Sequence, residues 1–482
     1  MPYYEEQNLL YIHVPKTGGE SINTYFKRKE SSKHAKLYGY YYEEINSGKK
    51  IKVQNNRTLQ HYTYNELVEN RNIFNIDILL KNPTIVVSIR NPYDRIVSEL
   101  CWSQKININN TSDEIYDIII NYLCIEKDNG VDNHKTPQYN YVLDEFGNML
   151  TNIKMVRTEY LVEDMQMLGY DDFNVHINTN KSITTNSPKI NYNTLLNNKS
   201  KQIINDYYSK DFEYFGYKKD DINILYKHPS TIYQTTIVSA FVPNINNFRS
   251  VGRYIENGND LLSVPTPKII FIEKETYNTY YKDKDEIKYY PLTTFIQINP
   301  KEDMYLYKFK DKITNFSAIS ENPNKDTIEY MFVQCNKTEW ISQAIELNTY
   351  NSNQFIWIDF GISHMMSINI NSVAFRENIM NMVKQSYNSL RIAGCKLSPT
   401  YVPRVDVNTH VCWGFAGSVF GGNVSGLLSF AYLLKKYIID YIIRTKSIIW
   451  EINFWYLLWL QYPELFSNFY NSGHNLKLLS FY

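Results

Sequence analysis

The stretch Leu9 to Ser21 reads LLYIHVPKTGGES: an apolar run halted by Pro15, then Lys16, Thr17 and two adjacent glycines. Such a run is a short buried strand, and the polar stretch Glu20 to Arg28 suits a helix, so the glycines fall at a strand-to-helix turn. The order returns at TIVVSIR, Thr84 to Arg90, with a helix expected from Tyr93 onward. Alternation of this kind belongs to an α/β domain with a mostly parallel sheet. Further helices are expected over Thr111 to Cys124, Glu159 to Leu168 and Asp206 to Gly216.

A glycine turn at a helix N-terminus is a place for an anion. Backbone N–H groups of Lys16 to Ser21, unshielded at Gly18 and Gly19, can converge on phosphate or sulfate oxygens, where the helix dipole also favours negative charge. Lys16 adds a mobile cation. The nucleoside-triphosphatase loop carries its lysine after the glycines, whereas Lys16 precedes them, which speaks against ordinary ATP use; a kinase is the competing reading. In SIRNPYDRIVSEL, Arg90 ends a strand and can grip a terminal phosphate with two parallel hydrogen bonds, and Ser98 offers a hydroxyl from the next helix. Two such grips suit a nucleotide with phosphates at two ends.

PKTGGES and RNPYDRIVS together resemble the two signature elements of sulfotransferases that use 3′-phosphoadenosine-5′-phosphosulfate (PAPS), in particular the branch acting on carbohydrates. The resemblance implies that Lys16, Thr17, Gly18, Gly19, Glu20 and Ser21 hold the 5′-phosphosulfate, and Arg90 and Ser98 the 3′-phosphate. Glu20 stands where the family pattern has Ser or Thr. HYTYNEL, His61 to Leu67, is similar to the family segment that supplies a histidine base, which implies His61 as base and Lys16 as stabiliser of the leaving phosphate oxygen. NHKTPQYNYVLDEFG and MVRTEYLVEDM resemble later family segments, in which His134, Gln138, Arg157 and Glu159 would line the acceptor groove or fix the fold. His13, beside the loop, reads as a packed residue.

At 482 residues the chain suggests two domains. A charged, Pro-containing stretch between Tyr217 and Tyr233 reads as their junction, giving a sulfotransferase domain over 1–220 and a second domain over 231–482. Lys plus Arg and Asp plus Glu balance at 50 each, so no global field draws nucleic acid or an anionic membrane. The five cysteines contain no C-x-x-C pair, which argues against a zinc finger or a disulfide scaffold. Neither a secretory n-region nor an uninterrupted membrane span is visible, and the expectation is a cytoplasmic protein without a membrane span.

A second α/β pattern starts at TTIVSAFV, Thr235 to Val242, and continues through KIIFIE, Lys268 to Glu273, and QFIWIDFG, Gln354 to Gly361. Asp359 thereby ends an apolar strand, a placement suited to holding a metal and through it a diphosphate. WGFAGSVFGGN, Trp413 to Asn423, offers small residues for close backbone approach and an aromatic face for a sugar. Trp455 and Trp459 read as core. W-I-D-x-G, the glycine block and W-E-x-N-x-W together resemble the HtrL/YibB family, thought to be related to GT-A-type glycosyltransferases. The resemblance implies a nucleotide-sugar domain, with Asp359 and His474 as ligands of a divalent metal such as Mn²⁺ or Mg²⁺ and Glu451 as a catalytic or acceptor-binding carboxylate. The sequence thus predicts a P-loop-like sulfotransferase domain followed by a GT-A-like α/β domain, a bifunctional enzyme acting on a glycan acceptor. A non-catalytic glycan-binding protein is the alternative.

Overall fold

The computed structural model describes residues 1–31, 37–43, 49–52, 57–71, 79–107, 109–126, 132–174, 192–220, 233–243, 250–282, 290–319, 322–366, 372–395 and 406–471. The chain forms two compact units, Met1–Ile222 and Asn223–Tyr482. Both are mixed α/β with parallel strands at their centres.

In the N-terminal unit the strands are β1 (Tyr3–Tyr4), β2 (Leu9–Ile12), β3 (Tyr41–Glu43), β4 (Lys50–Lys52), β5 (Thr84–Ile89) and β6 (Ile153–Arg157). The main sheet runs β1-β2-β5-β6, with β2, β5 and β6 parallel and β1 an antiparallel edge; β3 and β4 form a separate pair. All four residues of β2 are buried because the strand is covered on both faces. Leu10 and Ile12 join one core with Val87, Ile89 and Tyr141, and Leu9 and Tyr11 join the other with Ile22, Phe26 and Val86. The strand stops at Ile12, two residues short of the apolar run, and His13 and Val14 continue as buried loop.

The helix Gly19–Lys27 follows the loop, and Gly18 precedes it with φ 79°, the left-handed region that favours glycine. Gly19 is needed for a different reason: a Cβ there would lie 1.9 Å from His13 Nε2. After β5, the Asn91 side chain caps the helix Pro92–Trp102 and Pro92 occupies its first turn. The helix expected over Thr111 to Cys124 starts at a Thr111–Glu114 capping box and runs Ser112–Ile120, then relaxes into a π-helical turn at Asn121–Ile125.

In the C-terminal unit the strands are β7 (Thr235–Phe241), β8 (Lys268–Glu273), β9 (Thr293–Ile298), β10 (Gln354–Ile358), β11 (Arg391–Gly394), β12 (Phe415–Asn423) and β13 (Asn468–Asn471). They form one sheet in the order β13-β11-β12-β10-β7-β8-β9, parallel from β10 to β9, with β12 antiparallel to both its neighbours. The glycine block expected to face a ligand is largely β12 itself. A Cβ at Gly421 would stand 2.8 Å from the Phe355 carbonyl oxygen and one at Gly422 2.5 Å from that of Ser389, so these glycines let neighbouring chain segments pack closely. Trp455 is core, edge-to-face with Phe420 and Phe430, whereas Trp459 is half-buried. Among the described residues no helix is long and apolar enough to cross a membrane.

Candidate functional site

The turn after β2 bends twice into the left-handed region, at Lys16 (φ 68°) and at Gly18 (φ 79°). Alternating backbone of this kind turns successive N–H groups toward one side, a concave cradle for an anion. Thr17 is fully buried, its hydroxyl donating to the Val14 carbonyl at 2.7 Å and bonded to Ser88 Oγ at 2.6 Å. That side chain therefore pins the loop to β5, and what Thr17 can present to a ligand is its backbone. Glu20 is exposed, and Ser21 and Ser98 are buried.

Arg90 lies at the end of β5, and its Nη1 donates to the Lys16 carbonyl at 3.1 Å, which joins the two expected anion grips in one site. Gln138 holds the Arg90 backbone on both sides, its Oε1 accepting from the Arg90 N–H at 2.9 Å and its Nε2 donating to the Arg90 carbonyl at 2.8 Å. Buried Arg95 braces the loop from below, with Nε donating to the Pro15 carbonyl and Nη2 to the carbonyls of His134 and Thr136. Neither Lys16 nor Arg90 has a carboxylate within ion-pair distance among the described residues. Burial lowers the Lys16 ammonium to about 8, with Glu99 pulling the other way and Arg90 adding to the fall. Burial likewise lowers Arg90. Two cations close enough that one lowers the other, with no carboxylate within ion-pair distance among the described residues, form a site that an anion relieves.

His61 comes from the turn Leu59–His61, and its Nδ1 is 2.7 Å from Asp132 Oδ2. Asp132 also accepts from Thr58 Oγ1 at 2.7 Å, so the carboxylate is fixed from two sides. With Asp132 accepting from Nδ1–H, the Nε2 atom carries the lone pair. Burial holds the imidazole below the ordinary histidine value despite the upward pull of Asp132, so His61 is neutral and ready to accept a proton at neutral pH. A second pair stands beside it: His134 Nδ1 is 2.7 Å from Glu99 Oε2, and the His61 and His134 rings meet edge-to-face at 5.2 Å. His134 stacks on the half-exposed Trp102 at 5.0 Å, and Lys16 Nζ lies 4.8 Å from the centre of the same indole. Asp132 and Asn133 both have positive φ, an uncommon backbone for residues with side chains.

His61, Asp132 and His134 offer ligand atoms within 4.8 Å of one another. A tetrahedral ion holds its ligand atoms about 3.3 Å apart, and the 2.7 Å between His61 and Asp132 is instead hydrogen-bond geometry. His13 is buried between Tyr11 and His61 and packs there as expected. Gln138 and Glu159 hold backbone, Glu159 accepting from the Asn91 N–H at 2.6 Å, whereas the Arg157 side chain pairs with the Asp164 carboxylate at 2.7 Å. Asp132, Glu99 and Trp102 escaped the sequence reading. Asp132 lies 71 positions from the histidine it orients, and no local pattern marks such a pairing.

In the C-terminal unit a cavity of about 420 Å³ opens beside the end of β10, lined among others by Tyr254, Tyr330, Trp413 and Trp450. Asp359 and Glu451 both line it. Asp359 Oδ1 accepts from Trp357 Nε1 at 2.7 Å and is 3.1 Å from Lys337 Nζ; Glu451 Oε1 is 3.3 Å from the same ammonium. Burial raises the Glu451 carboxyl above its ordinary value, opposed by Lys337 and reinforced by Asp359. Lys337 opens the helix Lys337–Leu347, and nothing in CNKTEW singles it out in the sequence. His474, the other expected metal ligand, lies outside the described residues.

The sulfotransferase family model matches residues 3–218. No curated protein matches this chain. Among solved structures, mouse xyloside xylosyltransferase 1 in its apo form is similar at 13% identity over 50% of this chain and 85% of that chain, with a TM-score of 0.25. That score carries no argument about the C-terminal unit. The family match coincides with the unit that holds Lys16, Arg90 and the two histidine pairs, and the N-terminal half of the chain is thus sulfotransferase-like.

Proposed function

We propose that the N-terminal unit transfers a sulfuryl group from PAPS to a hydroxyl of a glycan. The observation that carries the reading is the Arg90–Lys16 hydrogen bond, which makes two anion grips into one site, in the same unit as a neutral, Asp132-oriented histidine. PAPS, when bound, supplies the activated sulfuryl group. The left-handed turn at Lys16 and Gly18 would hold its phosphosulfate through backbone N–H groups, and Arg90 would hold the 3′-phosphate. His61 Nε2 takes the proton of the acceptor hydroxyl, and Asp132 steadies the imidazolium so formed. Lys16 would neutralise the charge that develops on the leaving phosphate oxygen. The test is transfer of label from sulfur-labelled PAPS to a panel of oligosaccharides. Label on a glycan is expected, and labelled PAPS left intact with every acceptor would reject the reading.

For the C-terminal unit we propose nucleotide-sugar-dependent glycosyl transfer to a glycan. The aromatic-walled cavity at the strand end, with Glu451 and Asp359 in its lining, supports this reading. Incubation with a panel of nucleotide sugars and oligosaccharides should consume one donor, and Glu451→Gln should slow that consumption about 100-fold. Sugar binding without consumption of any donor would favour a glycan-binding module instead.

A further inference from the structure

We infer that Lys337 occupies, as an internal ammonium, the position from which a divalent cation would bridge Asp359 and Glu451, so that the C-terminal cavity receives its ligand without a metal. The inference rests on the nucleotide-sugar reading of that unit.

Four oxygens surround Lys337 Nζ: Asp359 Oδ1 at 3.1 Å and Oδ2 at 3.4 Å, Glu451 Oε1 at 3.3 Å and the Gly417 carbonyl at 3.1 Å. They come from three separate segments, the end of β10, the start of the helix Glu451–Gln461 and β12. A hard dication needs oxygens of this kind at about 2.0–2.6 Å, and here their common centre is taken by nitrogen. Lys337 is 4% exposed, lines the same cavity and is the first residue of its helix. A dication placed among the same oxygens would face that fixed positive charge at contact distance.

The rest of the site agrees. A Cβ at position 417 would come within 2.6 Å of Glu451 Oε1, so glycine there is what lets the carboxylate reach the ammonium. Glu451 is 3% exposed, lines the cavity and keeps Oε2 without a hydrogen-bond partner. A buried acceptor of this kind calls for a donor from whatever enters, and a sugar hydroxyl supplies one. Asp359 thus holds the ammonium through both its oxygens and Glu451 through Oε1, and Glu451 Oε2 is left for the ligand.

The test is a Mn²⁺ titration of the full chain, with free Mn²⁺ followed by electron paramagnetic resonance, for wild type, Asp359→Asn, Lys337→Ala and the double variant. Wild type and Asp359→Asn should bind Mn²⁺ alike, within about twofold, whereas Lys337→Ala should gain a site at least about tenfold tighter that the double variant loses. A wild-type Mn²⁺ site that Asp359→Asn weakens tenfold or more would overturn the inference. Any binding at His61, Asp132 and His134 is common to all four proteins and cancels. Should Lys337→Ala fail to fold, the comparison of wild type with Asp359→Asn decides alone. Failure of the nucleotide-sugar reading would show separately, as donors left intact in both Mn²⁺ and chelator.

Discussion

Replacing His61 with alanine is expected to lower kcat for sulfuryl transfer by about 10²- to 10⁴-fold while leaving affinity for adenosine 3′,5′-bisphosphate within about twofold. The split follows from geometry. His61 belongs to the Asp132 pair and makes no hydrogen bond to Lys16 or Arg90 among the described residues, so its loss removes proton acceptance and spares the anion grips. Its depressed proton affinity also fixes the sign of the acid limb. Activity should fall as pH drops through a value below the ordinary histidine range, because protonated His61 cannot accept the hydroxyl proton. Steady-state kinetics from pH 5 to 9, paired with bisphosphate titrations, measure both effects. Equal losses in kcat and in bisphosphate affinity would show that His61 holds the loop rather than the proton.

Lys16→Ala should cost about 10²- to 10³-fold in kcat, the scale of removing one donor aimed at charge that develops in the transition state. Its alkaline behaviour is a second signature. The ammonium of the free protein loses its proton near pH 8, and the neutral amine no longer attracts an anion, so affinity for the bisphosphate should decline as pH rises through that value. A bound phosphate favours the charged amine, so binding above pH 8 should take up a proton. Titration in buffers of different ionisation enthalpy reads that uptake directly. Lys16→Ala should bind without it, and unchanged uptake in the variant would place the titrating group elsewhere.

Much of this was legible in the sequence because the informative elements are local. The apolar runs LLYIHV and TIVVSIR became neighbouring parallel strands, and Gly18 between strand and helix took the left-handed backbone that such a turn needs. Helix starts were legible where a cap stands within four residues of what it bonds, as at Thr111 and Asn91. What escaped depends on partners far apart in the chain. Asp132 reaches His61 across 71 positions, Glu99 reaches His134 across 35, and Lys337 meets Glu451 across 114. A carboxylate carries no local mark of the histidine it will orient. In the block after Trp413, Gly417 lines the cavity, whereas Gly421 and Gly422 misled for a related reason: close approach to a ligand and close approach to a neighbouring strand demand the same small residues. Only the pairing of β12 between β10 and β11 distinguishes the two.

The central claim is that the loops at Lys16 and Arg90 form one site for a nucleotide with phosphates at both ends. Isothermal titration of the full chain with adenosine 3′,5′-bisphosphate, beside ATP with Mg²⁺, for wild type and Arg90→Ala, tests it most directly. The account predicts that wild type binds the bisphosphate far more tightly than ATP and that Arg90→Ala weakens the bisphosphate by at least about 100-fold, roughly 3 kcal/mol for a buried charged hydrogen-bonded contact. Binding of ATP in preference to the bisphosphate, with Arg90→Ala of little consequence, would contradict it.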